Sequence, residues 1–206
     1  MNIQYLAGSV SHMTEIDTRT QILTATEARF IQYGYNKTTM AEIARDCGMS
    51  AANLYRYFEN KLDIGAALAN QCLFEKEQKL SLIVNDNTTT SAEKLKAFID
   101  YVLDYTYHHF DASPRIGELI EAMTVQRPDV ADAHRKSSFN LLRQLLDQGE
   151  KSNEFTFDDL DDTAEAINTA IVAFYLPTVM PMFSLQELEH KAKVVLDLIL
   201  NSIGKL

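Results

Sequence analysis

An all-α fold is what these 206 residues predict, and three observations carry that expectation. Glycine and proline are scarce, seven and four in number, and few β-rich runs are bounded by turn residues. Apolar residues make up 46% of the chain and recur at three- and four-residue spacing. Helix starts are repeatedly written in capping-box form, a hydroxyl followed three residues later by Glu or Gln. About nine helices follow, with enough apolar surface for one compact unit or a small domain fused to a larger one.

Residues 1–17 read as a polar tail outside the fold, with Ser11-His12-Met13 resembling a cloning junction and a native start at Met13. Thr18 with Gln21 opens a helix over 18–34, where Ile22, Leu23, Ala25, Thr26, Phe30 and Tyr33 form an apolar stripe and Gly34 supplies the stop. Thr39 with Glu42 opens 39–46, Ser50 opens 50–57, and Asn60 with Asp63 opens 60–84. After the polar turn from Asn85 to Ser91 comes a helix over 91–110. Ser113-Pro114 then places a hydroxyl at the N-cap and proline at the first turn of 114–126, followed by 128–150. Asn153 to Asp162 is a loop whose acids Asp158, Asp159, Asp161 and Asp162 are helix-start charges for 159–176 rather than a cation site. Pro177 and Pro181 end that helix, and Ser184 with Glu187 opens the last, 185–203. No internal repeat is present.

The informative stretch runs from Thr38 to Phe58. It reads as two short helices around a tight turn, with Thr39 capping the first, Gly48 permitting a left-handed backbone and Ser50 capping the second. Ala44 is small enough for a close crossing, and Ile43 and Leu54 supply the contact. Two such helices bury too little alone, so the stripe of 18–34 completes a three-helix DNA-reading module. In the second helix Leu54 and Phe58 point inward, which leaves Ser50, Ala51, Ala52, Asn53, Tyr55, Arg56 and Tyr57 at its start and outer surface. Small side chains at 51 and 52 permit close approach to bases, and Asn53 and Arg56 suit adenine and guanine edges. Tyr55, Tyr57 and Lys61 are phosphate partners, as is the start of 39–46, although the two tyrosine rings serve packing as readily.

The run Thr39…Ile43-Ala44…Gly48-Met49-Ser50…Leu54-Tyr55-Arg56-Tyr57-Phe58…Asn60-Lys61 resembles the signature of the TetR/AcrR transcriptional regulators. Upstream, Ile22-Leu23…Ala25…Phe30…Gly34-Tyr35…Thr38-Thr39 is similar to the same family's first helix, so the likeness covers about residues 18–65. The resemblance implies an all-helical homodimer, a DNA-binding head over 18–64, and a body over 65–206 that binds a small-molecule effector and dimerises. It further implies a repressor of a palindromic double-stranded operator, released by its effector. Position by position, the implied DNA contacts fall on Thr39, Ser50, Ala51, Ala52, Asn53, Tyr55, Arg56, Tyr57 and Lys61. Ala41 stands where some members carry a base-contacting Arg, Ala52 where Gly is usual and Asn53 where Thr is usual, so the operator sequence does not carry over.

Charge is divided along the chain in the same sense. The formal net charge is −10, yet residues 18–62 carry six bases against four acids. Phosphate attraction needs only a local positive field, since salt screens the distant acidic body. In the body, Phe98, Tyr101, Tyr105 and His108 lie along one side of 91–110. With Met123, Phe139, Phe174 and Tyr175 they are candidates to line a pocket for a largely apolar effector, although such a stripe serves as plain core equally well. Helices 159–176 and 185–203 form the dimer surface by resemblance, with Val194, Val195, Leu198 and Ile199 extending the apolar face of the second. His108 and His109 diverge by about 100° on a helix and are poor joint metal ligands. Cys47 and Cys72 form no CxxC pair. Phosphate-binding glycine loops, metal-ligand spacings and a nucleophile–base set are missing, so no enzyme and no cofactor are expected. No membrane span or secretory signal is expected either, and a cytoplasmic location fits.

Overall fold

The structure, a computed structural model, describes residues 3–110, 114–177 and 179–204. Among these are nine α-helices: α1 (Ile3–Tyr33), α2 (Met40–Asp46), α3 (Ala51–Leu54), α4 (Lys61–Val84), α5 (Ser91–Phe110), α6 (Pro114–Gln126), α7 (Pro128–Lys151), α8 (Leu160–Ala170) and α9 (Leu185–Ile203). Two 3-10 turns, Val172–Phe174 and Met180–Met182, join α8 to α9. The described residues form no strand beyond one antiparallel bridge between Phe155 and Gly204. The all-α expectation therefore holds.

Most helix starts lie where their caps are written. Thr39 with Glu42 and Ser184 with Glu187 each form both bonds of the capping box. Ser50 Oγ accepts the Asn53 N–H at 3.2 Å, and Asn60 Oδ1 accepts that of Asp63 at 2.9 Å. A further box was not anticipated, in which the Thr90 N–H donates to the Glu93 carboxylate at 2.9 Å and the Thr90 hydroxyl oxygen accepts the Glu93 N–H at 3.2 Å. Ser113, the expected cap of α6, lies outside the described residues.

Three elements differ from expectation. Helix α1 starts at Ile3 rather than Thr18, so it runs through the stretch read as a tail. Between those residues there is no proline and a single glycine, Gly8, and extending an existing helix is far easier than nucleating one. Thr18 is consequently interior to the helix and does not mark its start. Helix α3 closes at Leu54 instead of residue 57, because its last turn tightens: Arg56 N–H reaches Asn53 O at 3.1 Å and Tyr57 N–H reaches Leu54 O at 3.0 Å. Helix α8 stops at Ala170, short of 176, and winds into 3-10 geometry, with Phe174 N–H on Ile171 O at 2.9 Å. Pro177 offers no N–H to the Ala173 carbonyl and disfavours helix at Leu176, and the tighter winding lets Ile171, Phe174 and Met180 all face the core.

The chain forms two compact units, Met1–Gln71 with Arg115–Val130, and Cys72–Pro114 with Ala131–Leu206. The core of the first contains Ile22, Phe30, Ile43, Leu54, Phe58 and Ile64. The second is built on Leu95, Ile99, Leu142, Leu145, Leu146 and Phe155, onto which α9 turns Leu188, Ala192, Leu196, Ile199 and Ile203. The end of α9 is fastened there: Thr156 N–H donates to Ile203 O at 2.8 Å, beside the Phe155–Gly204 bridge. The Phe155 ring in turn covers Gly149 so closely that no Cβ fits there.

Candidate nucleic-acid interface and effector cavity

In the first unit, Gly48 adopts φ +65° and Met49 N–H returns to Ala44 O at 2.9 Å, which closes α2 and sets the direction of α3. Ala44, the small residue at the crossing, is buried, as are Ile43 and Leu54 across it. Arg29 of α1 fixes α2 from outside that contact. Its guanidinium, 8% exposed, binds the Asp46 carboxylate through Nε and lies 3.5 Å from Glu42. The partnership holds the Asp46 carboxyl below the usual carboxylate range, the hydrogen bond from Arg29 being the main cause.

With Leu54 and Phe58 turned inward, Ser50, Ala52, Tyr55 and Arg56 are exposed, and Ala51, Asn53 and Tyr57 are half-buried. Arg56 makes no ion pair among the described residues, whereas the Asn53 amide sits 3.8 Å from the Met49 sulfur. The Tyr57 carbonyl receives Arg19 at 2.7 Å, and that guanidinium stacks 4.1 Å from the centre of the Phe58 ring. Thr39 is exposed, but its hydroxyl donates to Glu42 at 2.8 Å. Lys61 is more engaged than a free phosphate partner: Nζ donates to Tyr35 O at 2.6 Å and lies 4.2 Å from the Tyr35 ring centre. Burial lowers its pKa. Two bases not singled out by motif reasoning, Lys37 and Arg45, are exposed on the same unit and in no ion pair among the described residues. The local charge count had already included both.

Helix α6 belongs to this unit as well. Glu118 accepts the Asn36 N–H at 2.8 Å, and Leu119 and Met123 press on Gly65, where a Cβ would lie 2.9 Å from Leu119 Cδ1. Met123, a candidate pocket residue, is placed against Gly65 in the first unit, whereas the other seven candidates belong to the second.

The second unit contains a cavity of about 40 Å³ walled by α4, α5, α7 and the α8 segment. Phe98 and Tyr175 line it. Phe174 is buried in the same core, with Tyr101 and Phe139 packed at its edge. Tyr105 is buried and donates its hydroxyl to Cys72 O at 2.7 Å, while His108 is exposed, its ring nitrogen 3.0 Å from Asp104 O. The sequence reading did not anticipate the polar wall: Lys76, His134, Arg135, Ser138 and Asn168. Lys76 is 6% exposed, and burial pushes its pKa down to about 8. The neighbouring Glu77 carboxylate is occupied by His134 at 2.7 Å and Ser137 at 2.7 Å. Ser138 Oγ is buried with no partner. A signal for Lys76 did exist, since Cys72, Lys76, Leu80 and Val84 fall at four-residue spacing, a cation within an apolar stripe.

On α9, Val194 and Leu198 are 53% and 71% exposed, whereas Ile199 faces its own core. Helix α8 turns Ala164 and Ile167 inward, with Ala166 and Ala170 outside. Among the described residues no group of His, Cys, Asp or Glu is arranged to hold a metal. No described helix is long and apolar enough to cross a membrane.

The chain is similar to known proteins. Residues 22–68 match the family model described as bacterial regulatory proteins, tetR family. Residues 91–196, just over half of the chain, match that of a tetracyclin repressor-like C-terminal domain. The transcriptional repressor BepR of Brucella suis is 37% identical over 62 residues, 30% of each chain. The transcriptional repressor NemR of Escherichia coli is 21% identical over 148 residues, 70% of this chain and 74% of that one. Among solved structures, a SmeT–triclosan complex superposes with a TM-score of 0.67 at 21% identity, covering 92% of each chain. SmeT is described as the repressor of a Stenotrophomonas maltophilia multidrug efflux pump.

Proposed function

The chain belongs to the TetR family of bacterial regulatory proteins, and from that premise we propose that it is a ligand-responsive repressor that binds a palindromic operator as a homodimer. One observation carries the DNA side of the proposal. The outer face of α3 presents Ala52, Tyr55 and Arg56 to solvent, while Leu54 and Phe58 anchor the opposite face in the core. Such a rod enters a major groove, small residues first, with a guanidinium free to pair with a guanine edge. Exposed Lys37 and Arg45 add sequence-independent attraction to phosphate.

Dimerisation is assigned to α9 together with α8, because Val194 and Leu198 leave apolar surface on α9 that its own unit does not cover. A two-fold arrangement would seat two α3 helices in successive grooves, about 34–36 Å apart. Small-molecule binding in the second unit then lowers DNA affinity by favouring a different spacing, and DNA lowers ligand affinity equally. Helix α4 supplies residues to both units and is assigned the coupling.

Fluorescence anisotropy on a labelled duplex from the region upstream of the gene tests this. Affinity should fall linearly with log salt concentration, by a slope of about −0.9 per phosphate neutralised. An unrelated duplex bound equally well at physiological salt would sink the reading.

A further inference from the structure

We propose that the cavity of the second unit is the head-group end of a site for organic acids, molecules whose carboxylate pairs with Lys76 and whose apolar body lies against Phe98, Val102, Leu142 and Ile171. This rests on the reading of that unit as the effector domain and names the chemistry of the effector.

The residues around the cavity are inverted in charge relative to the rest of the unit. The chain as a whole carries −10, yet the lining includes a lysine, an arginine and a histidine and no acid. Lys76 is 94% shielded from solvent; among the described residues it makes no hydrogen bond or ion pair, and its Nζ lies 5.7 Å from the centre of the Tyr105 ring. A buried ammonium in that state is unfavourable unless something anionic meets it. Its neighbour Glu77 favours the ammonium charge, but its carboxylate is engaged by His134 and Ser137 and forms no ion pair with Lys76. Ser138 Oγ, also buried and without a partner, adds a donor that turns about a single bond. An ammonium with no carboxylate bound to it and a hydroxyl without a hydrogen bond among the described residues, both lining one cavity, form a receptor for a carboxylate.

A second feature sets the size of what enters. About 40 Å³ holds little more than a water or a carboxylate group. The remainder of an acid must part the wall, where Tyr175 is only half-buried and Arg135 is exposed. Binding therefore requires the unit to rearrange, as a ligand that selects one conformation over another must. A cationic ligand would meet Lys76 with no acid in the lining, and a purely apolar one would give neither polar group a partner.

The test is calorimetric titration of the full chain with octanoate and phenylacetate, each against its neutral amide. At least one acid should bind tenfold or more tightly than its amide. Lys76→Met should reduce that acid to the affinity of the amide while leaving the amide unchanged, and Ser138→Ala should weaken the acid a few-fold. Equal binding of acid and amide, an acid preference that survives Lys76→Met, or no binding of either acid at millimolar concentration would overturn the proposal. Circular dichroism melts of Lys76→Met and Lys76→Gln verify folding, so that either neutral variant serves. Parallel anisotropy on operator duplex separates the two readings. An acid that binds through Lys76 without altering DNA affinity refutes the effector role and keeps the anion site. Release of DNA by a ligand that Lys76→Met binds undiminished refutes the anion site and keeps the regulator.

Discussion

Arg56 and Asn53 both face outward on α3, but they are not equally free. Arg56 is exposed and makes no ion pair among the described residues, whereas Asn53 is half-buried with its amide beside the Met49 sulfur. Arg56→Ala should weaken operator binding by about 1–3 kcal/mol, the worth of one bidentate base contact, with the dimer intact by light scattering. Asn53→Ala should cost less. Arg29 acts on stability instead: removing it strips the Asp46 and Glu42 carboxylates of their partner, and Arg29→Ala should cost about 2 kcal/mol in urea denaturation. Because Asp46 is held ionised below the usual carboxylate range, this contribution is present above that range and disappears as pH falls through the depressed pKa. Lys76 has the opposite sign. Its pKa in the folded chain, about 8, lies below the ordinary 10.5, so between those values the unfolded chain holds a proton that the folded chain has released. Stability attributable to Lys76 should therefore rise across pH 8 to 10.5, by up to about 3 kcal/mol. Lys76→Met should be the more stable protein at pH 7 and lose its advantage near pH 10, as denaturation curves at both values will show. The signal for Lys76 is its place among Cys72, Leu80 and Val84 at four-residue spacing, fainter than the aromatic stripe of α5.

At the level of elements, side-chain caps were the most legible feature. Thr39, Ser50, Asn60 and Ser184 each hold a backbone N–H three residues on, because a cap is a local bond that needs no tertiary knowledge. Helix ends set by packing were not legible. Thr18 has the same pattern as Thr39 but lies within a helix that simply continues, and α8 tightens at Ile171 to satisfy a core that no local window reveals. Glycines divide in the same way. Gly48 at φ +65° has open space around it, so Gly48→Ala should cost only the left-handed backbone penalty, about 1–2 kcal/mol. Gly34 combines φ +89° with a Cβ position 2.8 Å from the Glu118 carboxylate. Gly34→Ala should therefore lower the melting temperature more than Gly48→Ala; equal losses would mean that Glu118 moves aside freely.

Across the whole molecule, the division between units was the least predictable property. That α6 packs beside the α1–α2 turn depends on Asn36 and Glu118, 82 residues apart, and no periodicity announces such a pair. Leu198 is exposed on α9, whereas Ala164 and Ile167 of α8 face their own core. Leu198→Glu should shift the protein toward monomer in sedimentation and weaken operator binding in step, since one head alone spans half a site. The fastening of α9 at Thr156 and Gly204 has a practical corollary for such measurements. Peptide appended for capture or labelling tugs at a knot that ties the assigned docking helix to the hydrophobic interior. Handles should be placed at the opposite terminus, and deletion back to Ile203 should loosen Phe155 and, through it, the whole carboxyl-terminal lobe.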